Sequence, residues 1–80
     1  MSSIDSYSNI FKSALNIDNS KFSESIEYNE VEEWDSIGHM TLISALEEEY
    51  KITLETDDII DFSSFKKGIE ILKKYKVEIK

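Results

Sequence analysis

The sequence predicts an all-α fold: a small antiparallel helical bundle with three principal helices, one short helix and a long first loop. Apolar residues recur at helical spacing in three separate segments. Proline is absent from all 80 residues, and only two glycines, Gly38 and Gly68, interrupt the chain. Length sets the scale, since 80 residues suit one domain, residues 1–80, with a single core and no deep, walled cavity of the enzymatic kind.

The first helix is expected over residues 3–15. Ile4, Tyr7, Ile10, Phe11, Ala14 and Leu15 recur at helical spacing there, behind Ser2 or Ser3 as caps. Residues 16–33 keep no period, and eighteen residues make a long unstructured link for a compact domain. Such a link must be pinned across the bundle. Ile17, Phe22, Ile26, Tyr28 and Val31 are the candidate anchors, with one helical turn near Ser20 to Ser25.

Residues 36–50 form the clearest helix. Ile37, Met40, Ile43, Leu46 and Tyr50 lie on one stripe, which Leu42 and Ala45 widen. Glu47, Glu48 and Glu49 sit near its C-terminal end, where the helix dipole disfavours carboxylates, so another use for them is implied. After the Lys51-Ile52-Thr53-Leu54 link, Thr56 is placed to cap a short helix. Asp57 and Asp58 fall in its first turn, and Ile59, Ile60 and Phe62 are expected to face inward. Ser63 or Ser64 then caps a last helix running to about Tyr75, with Phe65, Ile69, Leu72 and Tyr75 inward. Lys73, Lys74 and Lys76 near its end suit the dipole.

Composition excludes several functions. Cysteine is absent and His39 is the one histidine, so there is no disulfide framework, no thiolate zinc site and no histidine metal cage. Asp57 and Asp58 lack the spacing of a calcium-binding loop. The net charge of −8 repels phosphate backbones, which argues against nucleic acid and for a basic patch on another protein. That charge is uneven: residues 34–62 carry eight acids against one lysine, whereas residues 63–80 carry six lysines against two acids. Neither a signal peptide nor a membrane-length apolar run is visible, so a cytoplasmic monomer without stable membrane insertion is expected. No paired general acid and base can be argued, which leaves an enzymatic reading without support.

Asp35-Ser36-Ile37 marks the point where the loop hands over to the strongest helix. Unpaired backbone N–H groups and the dipole suit an anion there. Trp34 can anchor the incoming loop, and Asp35 can cap the helix or face a partner enzyme; neither makes Ser36 a nucleophile by itself. Around this point the sequence resembles the acyl carrier protein family. The likeness runs from Trp34-Asp35-Ser36-Ile37-Gly38-His39-Met40 through Glu47-Glu48-Glu49-Tyr50 to Lys51-Ile52-Thr53-Leu54, and it reaches Asp57-Asp58-Ile59 and Ser63-Ser64-Phe65. Ile37 stands where the family usually has Leu.

The resemblance implies that a 4′-phosphopantetheine arm from coenzyme A is attached at Ser36, flanked by Asp35, by a phosphopantetheinyl transferase using Mg²⁺. The arm's thiol would hold acyl or aminoacyl cargo as a thioester, supplied by a loading ligase and passed to downstream transferases. It further implies docking through Ile37, Met40, Glu47, Glu48 and Glu49 onto basic patches of those enzymes, with no catalytic residue in the chain itself. Gly38, His39 and Thr41 occupy positions where housekeeping fatty-acid carriers commonly place acids. That wording looks more like stand-alone carriers of dedicated biosynthetic pathways. The competing reading is an acidic helical protein-interaction domain without a prosthetic group, in which Ser36 is a plain helix-start residue. Under either reading His39 has no catalytic part, although it could touch the phosphate or tune docking.

Overall fold

The computed structural model of the protein describes residues 4–79, and its elements follow the expected order: α1 (Ile4–Leu15), α2 (Ser36–Tyr50), α3 (Thr56–Asp61) and α4 (Phe65–Lys74). Ser2 and Ser3, the expected caps of α1, lie outside the described residues. The fold is all-α, with no strand among the described residues beyond an isolated antiparallel bridge between Glu27 and Ser64.

Aromatic rings fill the centre. Phe11, fully buried on α1, meets Tyr7 at 5.1 Å, Phe65 at 5.1 Å and Trp34 at 5.3 Å between ring centroids. The Tyr7 and Trp34 contacts are edge-to-face, a geometry that adds roughly 0.5–1.5 kcal/mol per pair to the burial itself. Leu42, Ile43 and Leu46 bring α2 into this core, and Phe65, Ile71 and Leu72 bring α4. Tyr7 keeps its hydroxyl satisfied by donating to the Phe65 carbonyl at 2.8 Å, and burial pushes that phenol well above its usual range. Gly68 allows α4 to close on this spot: a Cβ there would lie 2.2 Å from both Phe62 Cζ and Tyr7 Oη.

Residues 16–33 are pinned as expected, but largely by backbone pairing. The Tyr28 N–H donates to the Ser63 carbonyl at 2.8 Å, and the Phe65 N–H donates to the Ile26 carbonyl at 3.0 Å. Ile17 and Ile26 are buried, Phe22 and Val31 pack partly against the core, and the Lys21–Glu33 ion pair at 2.7 Å ties the loop to itself. Two turns stand where one was expected near Ser20 to Ser25: the second is closed by the Ile26 N–H donating to the Ser23 carbonyl at 3.1 Å, and the first begins at Asp18. Asp18 closes the first by accepting the Phe22 N–H on its carbonyl and the Ser20 N–H on its side chain.

Three assignments to the core side are corrected. Ile37 and Met40, placed on the α2 stripe with Ile43, are 77% and 51% exposed, because the buried face of α2 centres on Leu42, Ile43 and Leu46. Ile60, expected inward, is 72% exposed, while Phe62 is buried and Ile59 half-buried. Thr56 does not cap α3 either. It is the first helical residue, preceded by Glu55 in extended conformation with no side-chain capping bond. At α4 the cap is Ser64, whose Oγ accepts the Lys67 N–H at 2.9 Å.

Candidate functional site

Ser36 is the first residue of α2 and is exposed. The residue before it makes this a helix start: Asp35 is extended, at φ −102° and ψ −167°, and its Oδ1 accepts the Gly38 N–H at 2.8 Å. The Asp35 carbonyl receives the His39 N–H at 2.7 Å. The N–H groups of Ser36 and Ile37, at the first two helical positions, have no intrahelical carbonyl available to them. Together with the dipole they suit an anionic oxygen at the Ser36 side chain.

Trp34 and Gly38 fix the approach of the loop. Trp34 is fully buried, edge-on against Phe11, and its backbone N–H donates to the Val31 carbonyl at 3.1 Å. Gly38 lets the loop backbone pass directly over the helix, since a Cβ there would stand 2.0 Å from the Glu33 carbonyl oxygen. The glycine thus serves close packing.

His39 is half-buried and occupied at both ring nitrogens. The Trp34 indole N–H donates to Nδ1 at 3.0 Å, and Nε2 lies 2.8 Å from the Ile59 carbonyl. An indole N–H can only donate and a carbonyl can only accept, so the tautomer carries its hydrogen on Nε2. Neither nitrogen is therefore free to take a proton from Ser36. The serine is a presented hydroxyl with no base beside it.

Ser36 stands at the rim of a groove of about 340 Å³ between α2 and α3, lined by Tyr28, His39, Met40, Ile59, Ile60 and Phe62, with Ser63 at its edge. The outer face of α2 continues it through Ile37, Thr41 and Ser44. A flexible arm tethered through a phosphate fits this combination of helix start and groove. The exposed apolar residues around it are Tyr28, Ile37, Met40 and Ile60. Farther along α2, Glu48 and Glu49 are exposed, whereas Glu47 is half-buried and its Oε2 accepts the Leu54 N–H at 2.8 Å. That bond explains one carboxylate placed against the dipole: it holds the link that follows α2. Among the described residues no three His, Asp or Glu side chains converge as a metal-binding set.

Ser36 is thus an exposed serine at a capped helix start beside a largely apolar groove, a geometry open to an approaching enzyme. The phosphopantetheine attachment site family matches residues 8–70, and the chain belongs to that family. It is a phosphopantetheine-binding carrier protein and not itself an enzyme, so a plain acidic interaction domain is set aside. The fold is similar to the solution NMR structure of the holo acyl carrier protein from Geobacter metallireducens. The TM-score is 0.75 at 25% identity, covering 89% of this chain and 82% of that one. No curated protein matches the chain.

Two features of the site escaped the sequence. Ile60 belongs to the exposed apolar rim, and a helix of only six residues gives too little period to reveal its phase. The part played by His39 depends on Ile59, twenty positions away, and no local pattern encodes such a pairing.

Proposed function

We propose that Ser36 Oγ is the attachment point of the 4′-phosphopantetheine arm and that the charged arm is presented to enzymes of a dedicated biosynthetic pathway. The observation that carries this reading is the exposed hydroxyl at the first position of α2, with Asp35 capping the helix behind it. A phosphopantetheinyl transferase would form the bond from Oγ to the pantetheine-side phosphorus as the pyrophosphate of coenzyme A breaks, with adenosine 3′,5′-bisphosphate leaving and the Oγ proton passing to a base of the transferase. This chain contributes position and the transferase contributes chemistry.

Docking falls to Ile37, Met40, Glu48 and Glu49, with Glu47 divided between a partner and its bond to Leu54. Basic residues on the transferase, on a loading ligase and on downstream transferases are the complementary surface. Such contacts act chiefly on encounter rate and weaken as salt screens them. Gly38, His39 and Thr41 favour a dedicated pathway, because the front of α2 offers no carboxylate to enzymes that seek one there. The carrier domain would work in the cytoplasm, as a monomer.

Incubation of the full chain with coenzyme A, Mg²⁺ and a broad-specificity transferase, read by intact mass, tests the attachment. A gain of one phosphopantetheine is expected, with none in Ser36→Ala. No gain in the native chain, or equal gain in the variant, overturns the assignment. Efficient acylation and elongation by general fatty-acid synthase enzymes would overturn the dedicated pathway.

A further inference from the structure

We infer that His39 is a positioning residue that latches α3 to the start of α2 and so sets the width of the groove beside Ser36. The use of that groove rests on the carrier reading; the latch itself does not.

Helix α3 has six residues and cannot sustain itself by local hydrogen bonding. Its middle offers little apolar burial, since Ile59 is half-buried and Ile60 exposed. Besides Phe62 at its end, polar attachments on two sides place it, and at its start the Glu55 N–H donates to the Tyr75 hydroxyl at 3.0 Å. On the α4 side, the Asp58 carboxylate takes the Lys74 ammonium and the Tyr75 hydroxyl, each at 2.5 Å. On the α2 side, the His39 imidazole meets the Ile59 carbonyl. Ile59 lies in the last turn of α3, where its carbonyl receives only a long bond of 3.4 Å from the Phe62 N–H, so the imidazole N–H at 2.8 Å is its closer donor.

The latch is anchored at its other end. The indole of Trp34 orients the ring through Nδ1, and Trp34 is itself fully buried against Phe11. Tyr28 at 5.4 Å and Phe62 at 6.0 Å meet the imidazole edge-on, leaving it little room to rotate. A continuous connection thus runs from the core through Trp34 and His39 to the backbone of α3. The groove has His39 and Met40 of α2 on one wall and Ile59, Ile60 and Phe62 on the other. The latch spans those walls, and its length is their separation.

Amide hydrogen exchange on the unmodified full chain tests this with two variants. In His39→Asn the side-chain carbonyl can still accept from Trp34 near the place of Nδ1, but its amide falls short of Ile59. In His39→Gln the longer side chain can carry an N–H to the place of Nε2. Loss of one such bond predicts exchange about fivefold to tenfold faster at the Ile59 and Phe62 amides of His39→Asn, with Leu46 and Leu72 within about twofold of native. His39→Gln should return the α3 amides to within about threefold of native. The proposal is overturned if α3 exchange is unchanged in His39→Asn, if both variants loosen α3 equally, or if α2 and α4 loosen along with α3. Mass analysis after transferase treatment keeps the two questions apart. Failure of the native chain to gain the arm would overturn the carrier reading and leave the exchange result standing.

Discussion

Replacing Gly38 with Ala tests the idea that the approach of the loop, more than helix propensity, governs this position. Ala should favour the helix by up to about 1 kcal/mol, and by less this close to an end. Against that gain stands a Cβ placed 2.0 Å from the Glu33 carbonyl oxygen and 3.2 Å from a methyl of Leu15. The first neighbour is backbone and cannot rotate away. Restoring ordinary contact requires movement of roughly an ångström or more in the segment that carries Glu33, Trp34 and Asp35. That segment holds the Lys21–Glu33 ion pair, the Trp34–His39 bond and the Asp35 cap. Overpacking of this kind costs about 1–3 kcal/mol, so the balance is a net loss of roughly 1–2 kcal/mol. In a domain of this size that lowers the melting temperature by about 4–16 °C. Urea unfolding at unchanged m-value is the assay, with Ser44→Ala on the exposed face of α2 as a control for propensity alone. Gly38→Ala equal to or more stable than the native protein would refute the reasoning.

Asp35→Ala should cost about 1 kcal/mol in urea unfolding through loss of the cap, while Asp35→Asn keeps most of it. Asp58 sets an acid limit. Hydrogen bonds from Lys74 and then Tyr75 hold its carboxyl below the usual carboxylate range, so its contribution is complete above that range and lost as pH falls through the lowered value. Asp58→Asn should therefore melt lower at neutral pH and show a shallower decline on acidification. Lys74 mirrors this, because the Asp58 bond raises its ammonium pKa and its share of the stability is lost as pH rises through that raised value. Ile60→Ser should leave stability within about 0.5 kcal/mol, since the side chain is already in water. If the apolar rim serves docking, the same variant should slow loading by partner enzymes, read as a rise in KM.

The helices were legible because each carries a local signal. Phe11 and Leu15 repeat at helical spacing, Ser64 caps as its type suggests, and Asp35 caps the residue that looked presented. Phase was harder to read. Both faces of α2 are apolar near its start, so Ile37 and Met40 could not be separated from Ile43 by periodicity alone, and the distinction came from what packs against each face. Thr56 illustrates a second limit: a good capping residue does not cap when the backbone begins its turn one position earlier, at Glu55. Within the site, Ser36 and Asp35 were legible from their place at the handover. The Trp34–His39–Ile59 connection was not, because it joins a loop to two helices through a carbonyl that any residue would supply.

The pairing of Ile26 and Tyr28 with Phe65 and Ser63 bears on how the protein comes into being. The segment leading into Ser36 is fastened to the beginning of α4, nearly forty residues downstream. During synthesis, α1 and α2 can coil as soon as they emerge, but the loop has nothing to fasten to until residues 63–65 follow. Closing so distant a pair costs loop-closure entropy that the local turns of the helices do not bear. If Ser36 is the attachment point proposed above, an enzyme that reads the fastened loop together with the helix start would meet its full target only once residues 63–65 have followed. The beginning of α4 would then time the moment at which the protein enters service.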